Sequence, residues 1–203
     1  MSKPKFYSNL NNIYSYSIDL LKEGANDRKS DFHICYISTV TQSTKPSSRC
    51  VVLRGFDEKN RILTIHSDYR ARKIKELKKN NNTTILFYSP SKKIQIKLEG
   101  SAIIHNKNQI TKKAWDNMAN YSKRCYLTEK APGNKLIKAE SGFPHSFKER
   151  MPNNSESYPF YKNFSVIRVK LHSLEWLFLH GHGNRRALFN FEKKKLEGEW
   201  LVP

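Results

Sequence analysis

The chain has 203 residues, of which 37% are hydrophobic and 12% aromatic; this supplies a packed core and excludes a disordered chain despite a mean hydropathy of -0.73. No apolar run approaches the roughly 20 residues needed to cross a bilayer, and Met1 to Tyr7 lead into Asn, Tyr and Ser instead of the apolar stretch of a secretory signal. The net charge of +19 comes from lysines spread along nearly the whole sequence, which describes a solvated basic surface better than a nucleic-acid stripe; no RRM, KH or zinc-finger signature accompanies it.

Asn9 to Lys22 reads as a helix with Leu10, Ile13, Tyr14, Ser17, Leu20 and Leu21 on one face and Gly24 as its stop, within an N-terminal segment spanning 1–30. His33 to Val40 is an apolar, β-branched strand. Thr41 to Ser48 is polar, contains Pro46 and reads as a turn, followed by strands at Arg49 to Phe56 and Arg61 to Ser67 around the hairpin loop Asp57 to Asn60. Tyr69 to Lys79 changes period to a strongly basic helix with Ile74 and Leu77 on one side. Thr83 to Tyr88 and Lys93 to His105 are strands; in the second, Ile94, Ile96 and Leu98 alternate with Gln95, Lys97 and Glu99, the pattern of a strand with one wet face. Asn108 to Ala119 is a helix capped near Asn108. A long loop is expected at 141–163, then strands at Phe164 to Leu171, Ser173 to His180 and Arg186 to Phe191.

Strands this closely spaced, with few helices between them, give a mostly β fold: an antiparallel β-barrel with helical insertions in a single domain over 1–203. The first strand lacks a Gly-x-Gly-x-x-Gly turn, which removes the doubly wound dinucleotide fold, and the absence of Gly-x-Ser-x-Gly and His-Glu-x-x-His leaves hydrolase readings without an anchor. Cys35, Cys50 and Cys125 are odd in number and lack Cys-x-x-Cys spacing, so neither disulfides nor zinc are expected, and a reducing cytoplasm is. Cys35 and Cys50 lie in strand runs and are expected to be buried. His172, His180 and His182 have no adjacent Asp, Glu or Cys to complete a metal or haem site, and His180-Gly181-His182 reads as a turn.

The informative stretch runs from Ser48 to Gly100. A strand carries Arg49 and Arg54; the next ends at His66-Ser67; Asp68-Tyr69-Arg70-Ala71-Arg72-Lys73 then enters a helix. Guanidinium forks, a hydroxyl and the N–H groups of a helix start converge on one corner, the chemistry of a phosphate site. Basic side chains in a first helical turn oppose the macrodipole, so the placement invites an anionic partner.

The string Arg49-Cys50-Val51-Val52-Leu53-Arg54, then His66-Ser67 with Arg72-Lys73, then Lys93 to Gly100, resembles the pyridoxamine 5'-phosphate oxidase superfamily. Leu174-Glu175-Trp176, Arg185 to Phe189 and the closing Trp200 to Pro203 are similar to the family's C-terminal flavin-contacting segment, here 164–203. The resemblance implies an FMN-binding split β-barrel homodimer with FMN in two clefts built from both subunits. It implies that Arg49 with Val51, Val52 and Leu53 touches the flavin, that Ser67, Arg72 and Lys73 hold the phosphate beside His66, that Gln95 bonds the ring, and that Trp176 and Arg186 close the cleft. Arg54 stands where oxidase members meet the substrate, and Arg124 is a second substrate candidate. At the family's Arg-Leu-His step this chain has His182-Gly183-Asn184, so oxidation of a vitamin B6 phosphate is not implied. Trp115, Arg124 and Pro132-Gly133 resemble a branch known only as FMN-binding. The implied function is a flavin-dependent oxidoreductase of undefined substrate; the alternatives are a non-enzymatic flavin or haem binder and, third, a nucleic-acid-binding protein.

Overall fold

Asn9 starts the first helix by accepting the Asn12 N–H at 3.0 Å, pairing one of the donors that every helix start leaves open. In the computed structural model, which describes residues 5–191 and 197–203, this is α1 (Leu10–Asn26). Ile13, Ser17, Leu20 and Leu21 are buried as the periodicity predicts. Gly24 does not stop the helix, which runs two residues further. A Cβ at Gly24 would lie 2.2 Å from the Phe32 carbonyl oxygen, so the glycine permits a close approach to the returning chain.

The strands β1 (Ile34–Val40), β2 (Pro46–Asp57), β3 (Ile62–Asp68), β4 (Asn82–Ser89), β5 (Ile94–His105), β6 (Phe164–Phe178), β7 (Arg185–Asn190) and β8 (Glu197–Leu201) form one antiparallel sheet. Their order is β3-β2-β1-β4-β5-β6-β7-β8, and a further pairing of β3 with β6 closes six of them into a barrel from which β7 and β8 extend. β2 starts earlier than the polarity of 41–48 suggests, because Pro46 occupies the first strand position opposite Val40, where a missing N–H is tolerated. The turn shrinks to Thr41 to Lys45, closed by the Thr41 N–H donating to the Lys45 carbonyl at 2.8 Å.

The two strands expected over 164–180 are one. The first half of β6 pairs with β3 and its second half with β7, while β5 runs along its other edge. Its register against β5 slips by one residue at His172, opposite Gly100. A Cβ on Gly100 would sit 2.3 Å from the Lys170 carbonyl oxygen, inside the backbone of the neighbouring strand. Gly100→Ala is therefore expected to lower unfolding stability by about 1–3 kcal/mol, read from urea denaturation.

Four helices complete the frame: α2 (Arg72–Lys79), α3 (Gln109–Asp116), α4 (Asn120–Lys123) and α5 (Asn154–Ser157). Asn108 caps α3 reciprocally with Thr111. Trp115, Tyr126, Phe164 and Val166 form a second apolar cluster that fastens α3 and its continuation to the first half of β6, outside the barrel core. The expected loop at 141–163 is partly helical: α5 is capped by Asn153 with Glu156, and a 3-10 segment follows at Tyr158–Asn163. That capping box reads Asn-x-x-Glu and was legible in the sequence.

Candidate functional site

β3 delivers Ser67 to the corner where the chain turns into α2. Asp68 fixes that turn: its carboxylate accepts the Arg70 N–H at 2.8 Å and the Arg70 guanidinium at 3.0 and 2.7 Å. Arg70 also donates to the Thr128 and Glu129 carbonyls at 3.0 and 3.1 Å, tying the corner to the segment after α4. Arg70 is thus a structural tie, and the cations left for a ligand are those of α2 and β2.

Lys73, in the first turn of α2, donates to Ser67 Oγ at 3.2 Å. Arg49 reaches in from β2 and donates to Ser47 Oγ at 2.7 Å, Thr39 Oγ1 at 2.5 Å and Glu76 Oε2 at 3.0 Å. Arg72 Nε lies 2.9 Å from Glu76 Oε1, yet the Arg72 side chain stays 73% exposed and available. Burial, and then the Arg49 charge, push the Lys73 ammonium below its ordinary pKa; Asp68 and Glu76 offset this only in part. Three cations thus share one corner with two buried carboxylates, Glu76 and the Asp68 that Arg70 occupies, and the ammonium is destabilised as it stands. An anion bound there would relieve it.

Ser67 and His66 are consecutive, so strand alternation gives them different surroundings. His66 stands edge-on to Phe164, with ring centroids 5.0 Å apart, and lines a cavity of 600 Å³ between the barrel and α3 and α4. Arg54, Lys113, Tyr121, Ser122 and Cys125 also line it, and no Asp or Glu is among its described lining residues. Burial, with the nearby Arg54 charge, lowers the His66 pKa to about 4, so the ring is neutral at physiological pH. The unfolded chain then takes up this proton first. Stability is full above the ordinary value of 6.5 and falls toward pH 4, by up to about 3 kcal/mol. His66→Asn is expected to flatten that fall in denaturation measured at pH 7 and pH 5.

The remaining predicted residues divide sharply. Val51 and Leu53 are core side chains, leaving only their backbone for a ligand, and Val52 is half-buried on the outward face. Gln95, Leu177 and Arg186 stand in register across β5, β6 and β7 on that face. Arg186 is held there by Glu175, whose Oε1 accepts Nε at 3.0 Å while NH2 lies at 2.8 Å; Lys97 approaches the other oxygen at 2.9 Å. Trp176 is a correction: it is fully buried against Tyr7 and Phe178 of its own chain, and alternation puts Leu177 on the Gln95 and Arg186 face instead. Arg124 is another. Its guanidinium donates to the Phe147 carbonyl at 2.8 Å and also to the Lys148 carbonyl, and stacks on Phe143, holding the 141–163 segment; it is not among the cavity's lining residues.

Cys35 is buried, and burial raises its thiol to about 12, whereas Cys50 is exposed because it alternates to the outward face. Among the described residues no three His, Cys, Asp or Glu side chains group as a metal site; the His180 and His182 rings pack on each other, 5.5 Å between centroids. Sequence reading missed Glu76 and Glu175. The only signals were the Arg72 to Glu76 spacing of four on one helix and the position of Glu175 between two apolar residues.

Residues 16–106 match the family model described as pyridoxamine 5'-phosphate oxidase, FMN-binding domain. A pyridoxine/pyridoxamine 5'-phosphate oxidase of Rubrobacter xylanophilus is 35% identical over 66 residues, 32% of this chain and 30% of that protein. One of Burkholderia mallei is 32% identical over 79 residues, 39% and 36% of the two chains. The match spans about a third of these relatives' length. The fold is shared more widely. A pyridoxamine 5'-phosphate oxidase-related, FMN-binding protein of Nostoc punctiforme superposes with a TM-score of 0.74 over 100% of both chains at 20% identity. PhzG of Burkholderia lata, solved with tetrahydrophenazine-1-carboxylic acid, gives 0.73 over 100% of this chain and 98% of its own at 15% identity.

Proposed function

We propose that this chain, whose residues 16–106 match the family model of the pyridoxamine 5'-phosphate oxidase FMN-binding domain, binds FMN and acts as a flavin-dependent oxidoreductase on a small molecule of undefined identity. The observation that carries this reading is the cation corner itself: Lys73, on Ser67 and depressed by burial and then by Arg49, beside an exposed Arg72. Those donors suit a terminal phosphate, which takes guanidinium forks and a point ammonium together. When bound, FMN supplies hydride transfer.

In this reading Ser67, Arg72 and Lys73 hold the phosphate, Arg49 and the β2 backbone from Val51 to Arg54 follow the ribityl chain, and Gln95 supplies amide bonds to the ring. Arg54 offers an anchoring charge in the cavity of 600 Å³, and neutral His66 adds none. The whole of 1–203 serves as one FMN-binding unit, with 164–203 contributing the face that carries Arg186.

Two copies of the chain are needed. Gln95 lies toward the end of β5 that pairs with Tyr88, away from Ala102 where β5 meets the chain leaving α2, and Arg186 lies on β7 outside the closed barrel; both stand on an outward face that exposes Ile34 at 46%, Tyr36 at 47% and Tyr88 at 41%. A partner covering that apolar surface would bring its Arg186 to the flavin. The three free thiols suit a cytoplasmic setting, and no described helix is long and apolar enough to cross a membrane.

The test is optical. Purified protein, or protein mixed with FMN and desalted, is expected to absorb near 450 nm, on the order of the free flavin band, and its flavin to be reduced and reoxidised with amine, nicotinamide or quinone partners. A protein that stays colourless after FMN addition contradicts the cofactor reading. Bound flavin without turnover makes the chain a carrier.

A further inference from the structure

Glu76 is the acidic side chain that meets Arg49 and Arg72 at the cation corner, where Asp68 is taken up by Arg70, and no part of the family resemblance pointed to it. Its side chain is 2% exposed. Oε2 accepts Thr39 Oγ1 at 2.6 Å and Arg49 at 3.0 Å, whereas Oε1 is buried without a hydrogen-bond partner and has only the ion-pair approach of Arg72 Nε at 2.9 Å. Thr39 is itself buried and also accepts from Arg49, so hydroxyl, guanidinium and carboxylate form one closed set spanning β1, β2 and α2.

Stability alone does not explain this set. Burying a carboxylate costs several kcal/mol that its ion pairs return only in part. Along the helix the pair runs base to acid, the weaker of the two orientations, and it keeps Arg72 at the positive end of the helix dipole. Burial of the carboxylate works to raise its pKa, yet the Thr39 and Arg49 hydrogen bonds and the charges of Arg49 and Arg72 hold it below the usual range, so it stays ionised. What the set does achieve is direction. One carboxylate sits behind both guanidinium groups: the terminal N–H groups of Arg49 are taken up by Ile37, Thr39, Ser47 and Glu76, while Arg72, 73% exposed, keeps N–H groups open to a ligand.

We propose that Glu76 is a positioning residue for the flavin phosphate: it holds Arg72 in place in advance, so that the phosphate binds to a formed site. This rests on the FMN reading above. Charge and positioning make opposite predictions. Glu76→Gln removes a negative charge beside a dianion, and a purely electrostatic role requires tighter FMN binding. A positioning role requires weaker binding, because the amide cannot accept from both guanidinium groups and Thr39, and its NH2 faces Arg72 Nε.

The experiment titrates wild-type and Glu76→Gln protein with FMN and with riboflavin, which lacks the phosphate, following flavin fluorescence. The expected result is an FMN affinity reduced by about tenfold or more, the scale of one charge-assisted hydrogen bond, with riboflavin affinity unchanged within about twofold. Equal losses for both flavins would assign Glu76 a merely structural role and overturn the proposal, as would unchanged or tighter FMN binding. Should Glu76→Gln not fold, Thr39→Val removes one partner of the same carboxylate and is expected to give a smaller loss of the same phosphate-specific kind; no such loss overturns the proposal. If wild-type protein binds neither flavin, the cofactor reading falls and takes this proposal with it, whereas FMN binding by wild type with an indifferent Glu76→Gln overturns this proposal alone.

Discussion

Replacing Arg72 and Lys73 together with alanine is expected to raise the Kd for FMN by about 10²–10⁴-fold while leaving the apo-protein folded. Each contributes a charge-assisted hydrogen bond of about 1.5–3 kcal/mol to a phosphate, and the two together give that range. The apo-protein should tolerate the change. Arg72 is 73% exposed, so solvent screens its share of the pair, and its partner Glu76, 2% exposed, keeps Thr39 and Arg49 when Arg72 is removed. Lys73 is held below its ordinary pKa by burial and Arg49, so its ammonium is a cost to the empty protein, and its removal is expected to leave thermal stability unchanged or raised. Isothermal titration with FMN beside thermal melts of the apo-protein reads both quantities. A double variant that binds FMN like wild type would remove the phosphate from this corner. A variant that loses flavin only because it unfolds would make the two side chains structural.

How much of this was legible in the sequence depended on the range of the interaction involved. Features decided within one turn or one strand were readable: the Asn9 and Asn108 caps, the alternation of Ile94, Ile96 and Leu98, and the Ser67, Arg72 and Lys73 corner. Features decided by a partner strand were not. The His172 slip that lets β6 serve two partners depends on Gly100, far away in sequence, and Gly24 is required by Phe32 and not by the helix it sits in. Trp176 shows the cost of judging a side chain by its type. An aromatic beside Arg186 suits a flavin cleft, but register against Ile96 turns it inward and Leu177 outward. Glu76 was invisible for a related reason: in a helix rich in lysine it looks like one more solvated charge, until Thr39 and Arg49 arrive from two strands to bury it.

The second large effect concerns the outward face. Tyr36 pairs across the sheet with Cys50 on β2 and Leu86 on β4, and Tyr88 pairs with Gln95 on β5, so two exposed tyrosines and Ile34 lie on one continuous surface next to the predicted ring contact. Aromatic residues at the centre of an interface are each worth about 2 kcal/mol or more, and an aspartate placed there adds an unpaired charge that must be desolvated. If the proposed dimer forms through this face, Tyr36→Asp combined with Tyr88→Asp is therefore expected to weaken it by about 10³-fold or more, leaving a monomer in sedimentation velocity at micromolar concentration. Both tyrosines are more than a third exposed in the single subunit, so the fold itself should survive, and far-UV circular dichroism checks that. If the flavin cleft is shared, the monomer should also lose most of its FMN affinity although Ser67, Arg72 and Lys73 are untouched. Retained FMN binding in a folded monomer would place the whole site within one chain, and would leave Gln95 and Arg186 without a part in it.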